Sequence, residues 1–525
     1  METALEQRTR GASTDSGKGL AAGKLGLVPS TVIGLASTAP LYSLAATLGF
    51  IVMAAGAQAP AALIAAFIPM CLTAFAYREL NTAIPDSGTA FTWAAKAFGP
   101  RTGWMAGWGV MVAGVIVMSS QTEVASKYLL LLIGDGSIAQ NKVLVTGFGA
   151  LIIIAMTWVS YRNVETGAWT QYLLMALQYA AIIAFCIGLY FAIQSAPALG
   201  MEFSWDWFNP LASDNPAGFM QGVLIAIFIY WGWDTCLALA EETKNPRTTP
   251  GFAALLSTAM LLVTYIGITV LAMMFAGVGT EGKGLANPEG AEDVFFALRV
   301  DALGSWGWLL VFAVAVSALA TCQTTILPTA RGTLSMGVYG ALPKPFAMIN
   351  RIYQTPSFST LFTGVASLVF YVGMTVISGD ILADTIESTS LAVAMYYSIT
   401  PFACIWYFRS SLFASARNVL LRFVLPLLGG LMMTGVFVFS AVSMLDPEYG
   451  TTTVLGTSGT FVMGVGSLAV GLLVMVLCVR PHAIISRGAP SMPQLRSWYP
   501  STNTRQLRFS LAFTNFPSRL STERR

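Results

Sequence analysis

The chain has 525 residues, of which 55% are apolar and only 10% are Asp, Glu, Lys or Arg; an ordinary soluble domain carries about 25% of such charged residues. The composition excludes a string of soluble domains. A lone His482, scattered carboxylates and the lack of any nucleophile–base pair or metal cluster argue against an enzyme, and no cofactor, bound metal or nucleic-acid partner is expected. The net charge, 28 − 25 = +3, takes on meaning only when the charges are assigned to one side of a membrane or the other.

The segment 1–27 is a polar tail without the apolar stretch of a signal peptide, which is expected to stay in the cytoplasm. A bilayer core takes roughly 20 apolar helical residues per crossing. Stretches of that kind lie at 28–53, 61–81, 103–133, 143–161, 167–194, 218–240, 252–276, 306–335, 358–377, 385–408, 419–440 and 459–479. Twelve transmembrane helices and an all-α polytopic membrane protein follow. The six cysteines, Cys71, Cys186, Cys236, Cys322, Cys404 and Cys478, all fall inside these runs without CxxC spacing, as small buried hydrophobes do.

With both tails on one side, the connections on that side carry twelve Lys and Arg residues, among them Arg78, Arg101, Arg162, Lys244, Arg331, Lys344 and Arg422. The other side has only Lys127, Lys142, Lys283 and Arg299. The positive-inside rule therefore predicts cytoplasmic termini in the plasma membrane. The tail 481–525 is basic; it is either a solvated tail or one that lies on anionic lipid.

An internal echo points to a repeat. Phe91 to Gly99 followed by Gly103-Trp104 matches Phe296 to Gly304 followed by Gly307-Trp308, and both segments predict a short amphipathic helix ahead of a long span. An odd-numbered repeat unit inverts its copy across the bilayer, as in many secondary transporters. The expected organisation is a first repeat at 28–194, an extracellular loop at 195–217, a second repeat at 218–408 and two further helices within 409–480.

A solute crossing the bilayer needs polar groups at the midplane, and broken helices expose amides and carbonyls there. Ala36-Ser-Thr-Ala-Pro40 in the first span reads as a break or a simple proline kink. In the sixth span, Gly232 stands between Trp231 and Trp233, with Asp234 next, and an intramembrane carboxylate is a functional candidate by default.

The run Phe228-Ile-Tyr-Trp-Gly-Trp-Asp234 with Glu241-Glu-Thr-Lys-Asn-Pro246 resembles the sixth helix of the amino acid–polyamine–organocation (APC) superfamily. Asn81 to Gly88 with Phe91, Trp93 and Gly99 is similar to that superfamily's second-to-third loop, and Arg331 with Ala341-Leu-Pro343 and Phe346 to its eighth-to-ninth loop. The resemblance implies a 5+5 inverted repeat with helices 1 and 6 broken, plus two C-terminal helices. It also implies that the backbone at Ala36, Ser37, Thr38, Ala39 and Pro40 meets a substrate carboxylate, that the carbonyls of Ile229, Tyr230 and Trp231 hold an amino group, and that Phe228 is an aromatic gate. Asp234 falls where some members carry a proton-responsive carboxylate. Two departures stand out. Pro40 lacks one expected amide donor, for which the hydroxyl of Ser37 or Thr38 is the candidate substitute, and Gln178 stands where many sodium-independent members carry a lysine.

Glu123 and Lys127, spaced i, i+4, read either as a self-neutralising pair or as a gating or proton site. Glu387 either lines the outer vestibule or reaches water. Ser317 and Thr321 share a face of the eighth helix and present hydroxyls either to sodium or to their own backbone. The function expected is a secondary active transporter moving an amino acid or related small amine by alternating access, with a coupling proton or sodium, the proton favoured. Polyamine or organic-cation transport or exchange is the alternative substrate class, suggested by the aromatic faces; a transporter-like sensor or channel is the alternative of a different kind. The sequence leaves the oligomeric state open.

Overall fold

The computed structural model describes residues 18–478, apart from 134–136, 163, 196–199, 292, 378–379, 448, 451 and 455. The basic tail and His482 lie outside the described residues. Within a bilayer every backbone amide and carbonyl must be paired inside the segment, and long apolar helices result.

The principal helices are α1 (Leu27–Thr38), α2 (Pro40–Ala55), α3 (Ala59–Ala83), α4 (Thr89–Phe98), α5 (Pro100–Ile133), α6 (Lys142–Arg162), α7 (Val164–Ser195), α8 (Pro216–Tyr230) and α9 (Thr235–Ala238). They continue with α10 (Thr249–Ala276), α11 (Val294–Leu303), α12 (Gly307–Val338), α13 (Ser357–Ile377), α14 (Ile381–Tyr407), α15 (Leu425–Ser443) and α16 (Ser467–Cys478). Eleven continuous stretches are long and apolar enough to cross a membrane. The first, Leu27–Ala83, holds 57 residues, far more than the roughly 20 that one crossing takes. The turn Gly56–Gln58 divides it, which accounts for the twelfth predicted crossing.

The repeat is visible in matched elements. α1 and α2 are one span broken at Ala39, and α8 and α9 are one span broken between Tyr230 and Thr235. The short helices α4 and α11 precede the long helices α5 and α12. Both short helices end at a glycine with positive φ, Gly99 at 94° and Gly304 at 56°, a conformation open to glycine at little cost.

α5 and α12 pack along each other at the centre. Their approach is close because Gly114 faces Thr329: a Cβ on Gly114 would lie 2.1 Å from the Thr329 hydroxyl oxygen, the small-residue contact that brings membrane helices together. The most apolar window of the α11–α12 stretch is 83% buried, against 28% for α13, so α12 is central and α13 faces lipid. α15 packs on α3 and α14, and α16 lies along α5, where Trp104 and Trp108 donate to the carbonyls of Gly471 and Ser467 at 3.0 and 2.9 Å. Cys71, Cys186, Cys236, Cys322 and Cys404 are free thiols.

Candidate functional site

The two helix breaks meet. α1 ends at Thr38, Ala39 adopts φ 45°, and Pro40 opens α2 at a position where its missing amide is no loss. The span is therefore broken rather than kinked. In the other repeat Trp231 is extended and Gly232 has φ 119°. A Cβ on Gly232 would stand 2.7 Å from the Ser37 carbonyl oxygen and 2.9 Å from the Thr38 nitrogen, so glycine is needed both for the turn and for the contact. Ser37 Oγ and Thr235 Oγ1 share a hydrogen bond of 2.7 Å across the junction.

Each break exposes fewer groups than an ideal helix end. In the first turn of α2, Pro40 has no N–H, the Tyr42 amide donates to Ser317 Oγ at 3.2 Å, and the Ser43 amide donates to the Ala39 carbonyl at 2.9 Å. Among the described residues no hydrogen bond is seen for the Leu41 amide, the remaining donor of that turn. On the facing break the Ile229 carbonyl accepts from the Tyr265 hydroxyl at 2.6 Å, and the Phe228 carbonyl accepts from the Trp231 amide at 3.1 Å. The carbonyls of Tyr230 and Trp231 are thus the more available of the predicted amine acceptors.

A narrow cavity opens beside the junction, lined by residues that include Ser37, Trp231, Gly232, Asp234, Thr329 and Tyr396. Asp234 is 9% exposed and accepts from the Tyr396 hydroxyl at 3.5 Å. That hydroxyl in turn accepts from the Trp231 indole N–H. No ion pair joins Asp234 among the described residues. Trp231 lines the cavity, whereas Tyr230 packs between Phe67 and Tyr265 and is fully buried. Phe228 meets the ring of Tyr42 edge-on, 6.5 Å between centroids.

The hydroxyls of α12 turn towards the broken helix rather than only to their own backbone. Thr321 donates to the Ser37 carbonyl at 3.0 Å, and Ser317 donates to Gln178 Oε1 at 2.7 Å while accepting from Tyr42. Gln121 adds bonds to Thr321 and Thr325 at 3.3 and 2.9 Å. Gln178 therefore reaches the α2 start through Ser317.

The remaining carboxylates lie elsewhere. Glu123 pairs with Lys127 at 3.5 Å and accepts from the Tyr371 hydroxyl at 2.9 Å, which joins α5 to α13. Glu387 does not reach out to water: it is 7% exposed and accepts from Gln221 Nε2 at 2.9 Å, joining α14 to α8. Sequence reasoning missed Tyr396, one of an adjacent pair of tyrosines inside the tenth span, and Thr329, whose role depends on helix packing.

The family follows from comparison. The amino acid permease model matches residues 26–479. The chain belongs to that family. The cationic amino acid transporter 3, mitochondrial, of Arabidopsis thaliana is 25% identical over 348 residues, 63% of this chain and 55% of that protein. The branched-chain amino acid permease BcaP of Lactococcus lactis is 27% identical over 228 residues, 40% of this chain and 46% of that protein. The chain spans about half the length of these relatives. The crystal structure of MhsT in complex with L-phenylalanine matches with a TM-score of 0.54 at 14% identity, covering 78% of this chain and 98% of that one. The chain thus shares the fold of that protein, and in this chain the first and sixth spans are broken and α15 and α16 follow the repeats.

Proposed function

We propose that this permease is a secondary active transporter moving an amino acid or related small amine across the cytoplasmic membrane by alternating access. The observation that carries the reading is the contact of the two broken helices at Gly232 and Ser37, in a chain of the amino acid permease family. The backbone from Ala36 to Pro40, with the Leu41 amide, receives the carboxylate. The Tyr230 and Trp231 carbonyls, with a lone pair of Ile229, receive the amine, and Phe228 closes over it. The relatives' names, which specify cationic and branched-chain amino acids, favour an amino acid over other solutes. The repeats occupy 28–194 and 218–408, and both termini face the cytoplasm, in line with the Lys and Arg bias.

Proton coupling runs through Asp234, a buried carboxylate on the cavity wall with no cation beside it among the described residues. Glu123 and Glu387 act as gate contacts between helices, and sodium at Ser317 and Thr321 is the competing mode of coupling. A polyamine or other organic cation is a second substrate class, favoured by a carboxylate that lines the same cavity as the aromatic side chains of Trp231 and Tyr396.

Uptake into proteoliposomes from a panel of labelled amino acids and amines, with and without proton and sodium gradients, tests the reading. Accumulation or exchange of at least one is expected; neither for any of them overturns it. Asp234→Asn is expected to abolish proton-driven accumulation while leaving counterflow exchange largely intact. Equal loss of both would assign Asp234 to substrate binding or structure.

A further inference from the structure

The connection between the tenth span and the two helices after the repeats is short and basic. Residues 408–424 hold Arg409, Arg417 and Arg422 and neither Asp nor Glu. The connection leaves α14 after Tyr407 and enters α15 through a π-helical turn, Val419–Val424. It folds back on itself. The Asn418 side chain donates to the Ser411 carbonyl at 2.9 Å, and the Arg422 guanidinium lies over the Phe408 ring, 4.2 Å from its centroid. The two arms of the loop therefore run together, with Arg409 on one and Arg417 on the other.

Charge is left over on this loop. Glu79, buried near the end of α3, accepts from Arg417 Nη2 at 2.6 Å and from Arg422 Nε at 2.7 Å. Two guanidinium groups on one carboxylate leave a positive charge, and the Arg417 side chain is still 54% exposed. Arg409 is exposed and meets no carboxylate among the described residues. Its Nη1 donates to the Trp406 carbonyl at 2.9 Å, and its guanidinium lies 4.9 Å from the centre of the Trp406 ring. Three cations therefore share one anion.

The same surface is aromatic. Trp406 is half-exposed and packs against the exposed ring of Phe98 on α4, 6.2 Å between centroids, and Phe413 is 76% exposed. The tenth crossing returns the chain to the bundle end that carries the N-terminus, so the loop lies at the boundary of lipid and water. Indole rings settle there at headgroup depth, and Arg side chains extend from apolar surface to reach phosphates. Bulk lipid satisfies the rings but not the surplus charge. A zwitterionic headgroup brings its own cation towards Arg409, whereas an anionic one matches both halves of the surface, and a guanidinium offers a phosphate two parallel donors.

We propose that the loop 408–418, together with Trp406, is a binding site for an anionic phospholipid. Arg409 and the exposed side of Arg417 receive the phosphate, and Trp406 and Phe413 flank the glycerol and the first carbons of an acyl chain. The proposal is independent of which solute the permease moves. The bound lipid neutralises the charge that Glu79 leaves uncompensated, and so strengthens the junction of α3 with the start of α15. The charge of the surrounding lipid thereby enters the stability of the fold through one short loop.

The test uses purified full-length protein in a non-ionic detergent, titrated with phosphatidylglycerol or with phosphatidylcholine of the same acyl chains. Native mass spectrometry reads the lipid retained, and a melting curve reads stability. Phosphatidylglycerol is expected to be retained at least fivefold more tightly than phosphatidylcholine and to raise the melting temperature. Arg409→Gln is expected to reduce that preference about fivefold, the effect of one cation at an anionic surface, and Arg409→Lys to keep most of it. Equal retention of the two lipids by the wild type overturns the proposal, and so does an undiminished preference in Arg409→Gln. Because the Arg409 guanidinium contacts only Trp406 among the described residues, this variant keeps the test open even if Arg417→Gln, which disturbs Glu79, folds poorly. Inorganic phosphate is expected to leave the melting temperature unchanged at the same concentration; a full shift with phosphate alone overturns the lipid assignment.

Discussion

Arg331 and Glu242 form a two-pronged pair, Nε to Oε2 at 2.7 Å and Nη2 to Oε1 at 2.9 Å, with both side chains 1% exposed. Arg331 also donates to the Leu327 carbonyl at 3.2 Å. The pair binds the middle of one repeat to the exit of its broken span. Removing one member leaves the other charge buried and unpaired, at a cost of about 3–5 kcal/mol. Arg331→Gln should lower the melting temperature of the purified protein markedly, and Arg331→Met with Glu242→Leu should recover much of the loss. A double variant no more stable than the single would show that Arg331 acts through contacts other than this pair.

Gly232→Ala combines an unfavourable φ of 119° with a Cβ only 2.7 Å from the Ser37 carbonyl. The backbone strain alone is worth about 1–3 kcal/mol, and the clash adds to it by pushing the two breaks apart. Uptake should fall more than tenfold in protein that still reaches the membrane and elutes as a single species. Wild-type uptake would show that the contact is not retained during transport.

Ser317 and Thr321 tie the first span to α12 by hydrogen bonds, and each bond contributes about 0.5–1.5 kcal/mol. Ser317→Ala and Thr321→Val should each reduce thermal stability by that order. Wild-type uptake should be the same in sodium and choline buffers, because these hydroxyls already serve protein partners. A sodium requirement that disappears in both variants would instead make them cation ligands.

The contact of the Lys18 ammonium with Asp86 and Glu241, at 2.8 and 2.7 Å, should be insensitive to physiological changes in pH. Burial by itself would raise the Asp86 pKa, but the charge and hydrogen bonds of Lys18 outweigh it and hold the carboxyl at about 2. Burial likewise opposes the Lys18 charge, but Asp86 and Glu241 prevail and raise its pKa above the ordinary 10.5. A depressed acid stabilises the folded state above its unfolded pKa and loses that contribution as pH falls towards its folded value. A raised base stabilises below its unfolded pKa and loses that contribution only at more alkaline pH. The contribution of this pair to the wild-type melting temperature should therefore be steady from about pH 5 to pH 9 and fall below about pH 4, whereas in Lys18→Gln, where burial is no longer opposed, Asp86 takes up its proton at a higher pH and the deficit relative to wild type shrinks from there downwards. A deficit that does not shrink on acidification would mean that Lys18 does not hold the Asp86 charge.

The spans were legible because a bilayer demands runs of apolar residues, and the repeat because Phe91–Gly99 and Phe296–Gly304 keep the same terminal glycine. The break at Gly232 could be read from a glycine set between two tryptophans. Ala39, by contrast, carries no such mark: alanine rarely takes positive φ, and only packing against the second break explains its conformation. Lys18 was invisible for a related reason. In sequence it is one cation in a polar tail, and its partners Ser87, Glu241 and Ser335 lie 69, 223 and 317 residues away. Tyr396 is likewise a site residue only through α14 packing beside the broken sixth span.

The meeting of Gly232 with the Ser37 carbonyl has a mechanical consequence. The residues at which the two spans leave helical geometry meet in space, so a rotation of α8 about its break presses on the end of α1, and the reverse holds equally. Sequence drift at one break is constrained by the other: a bulkier side chain in either must be matched by withdrawal in its neighbour, and the two must change as a pair.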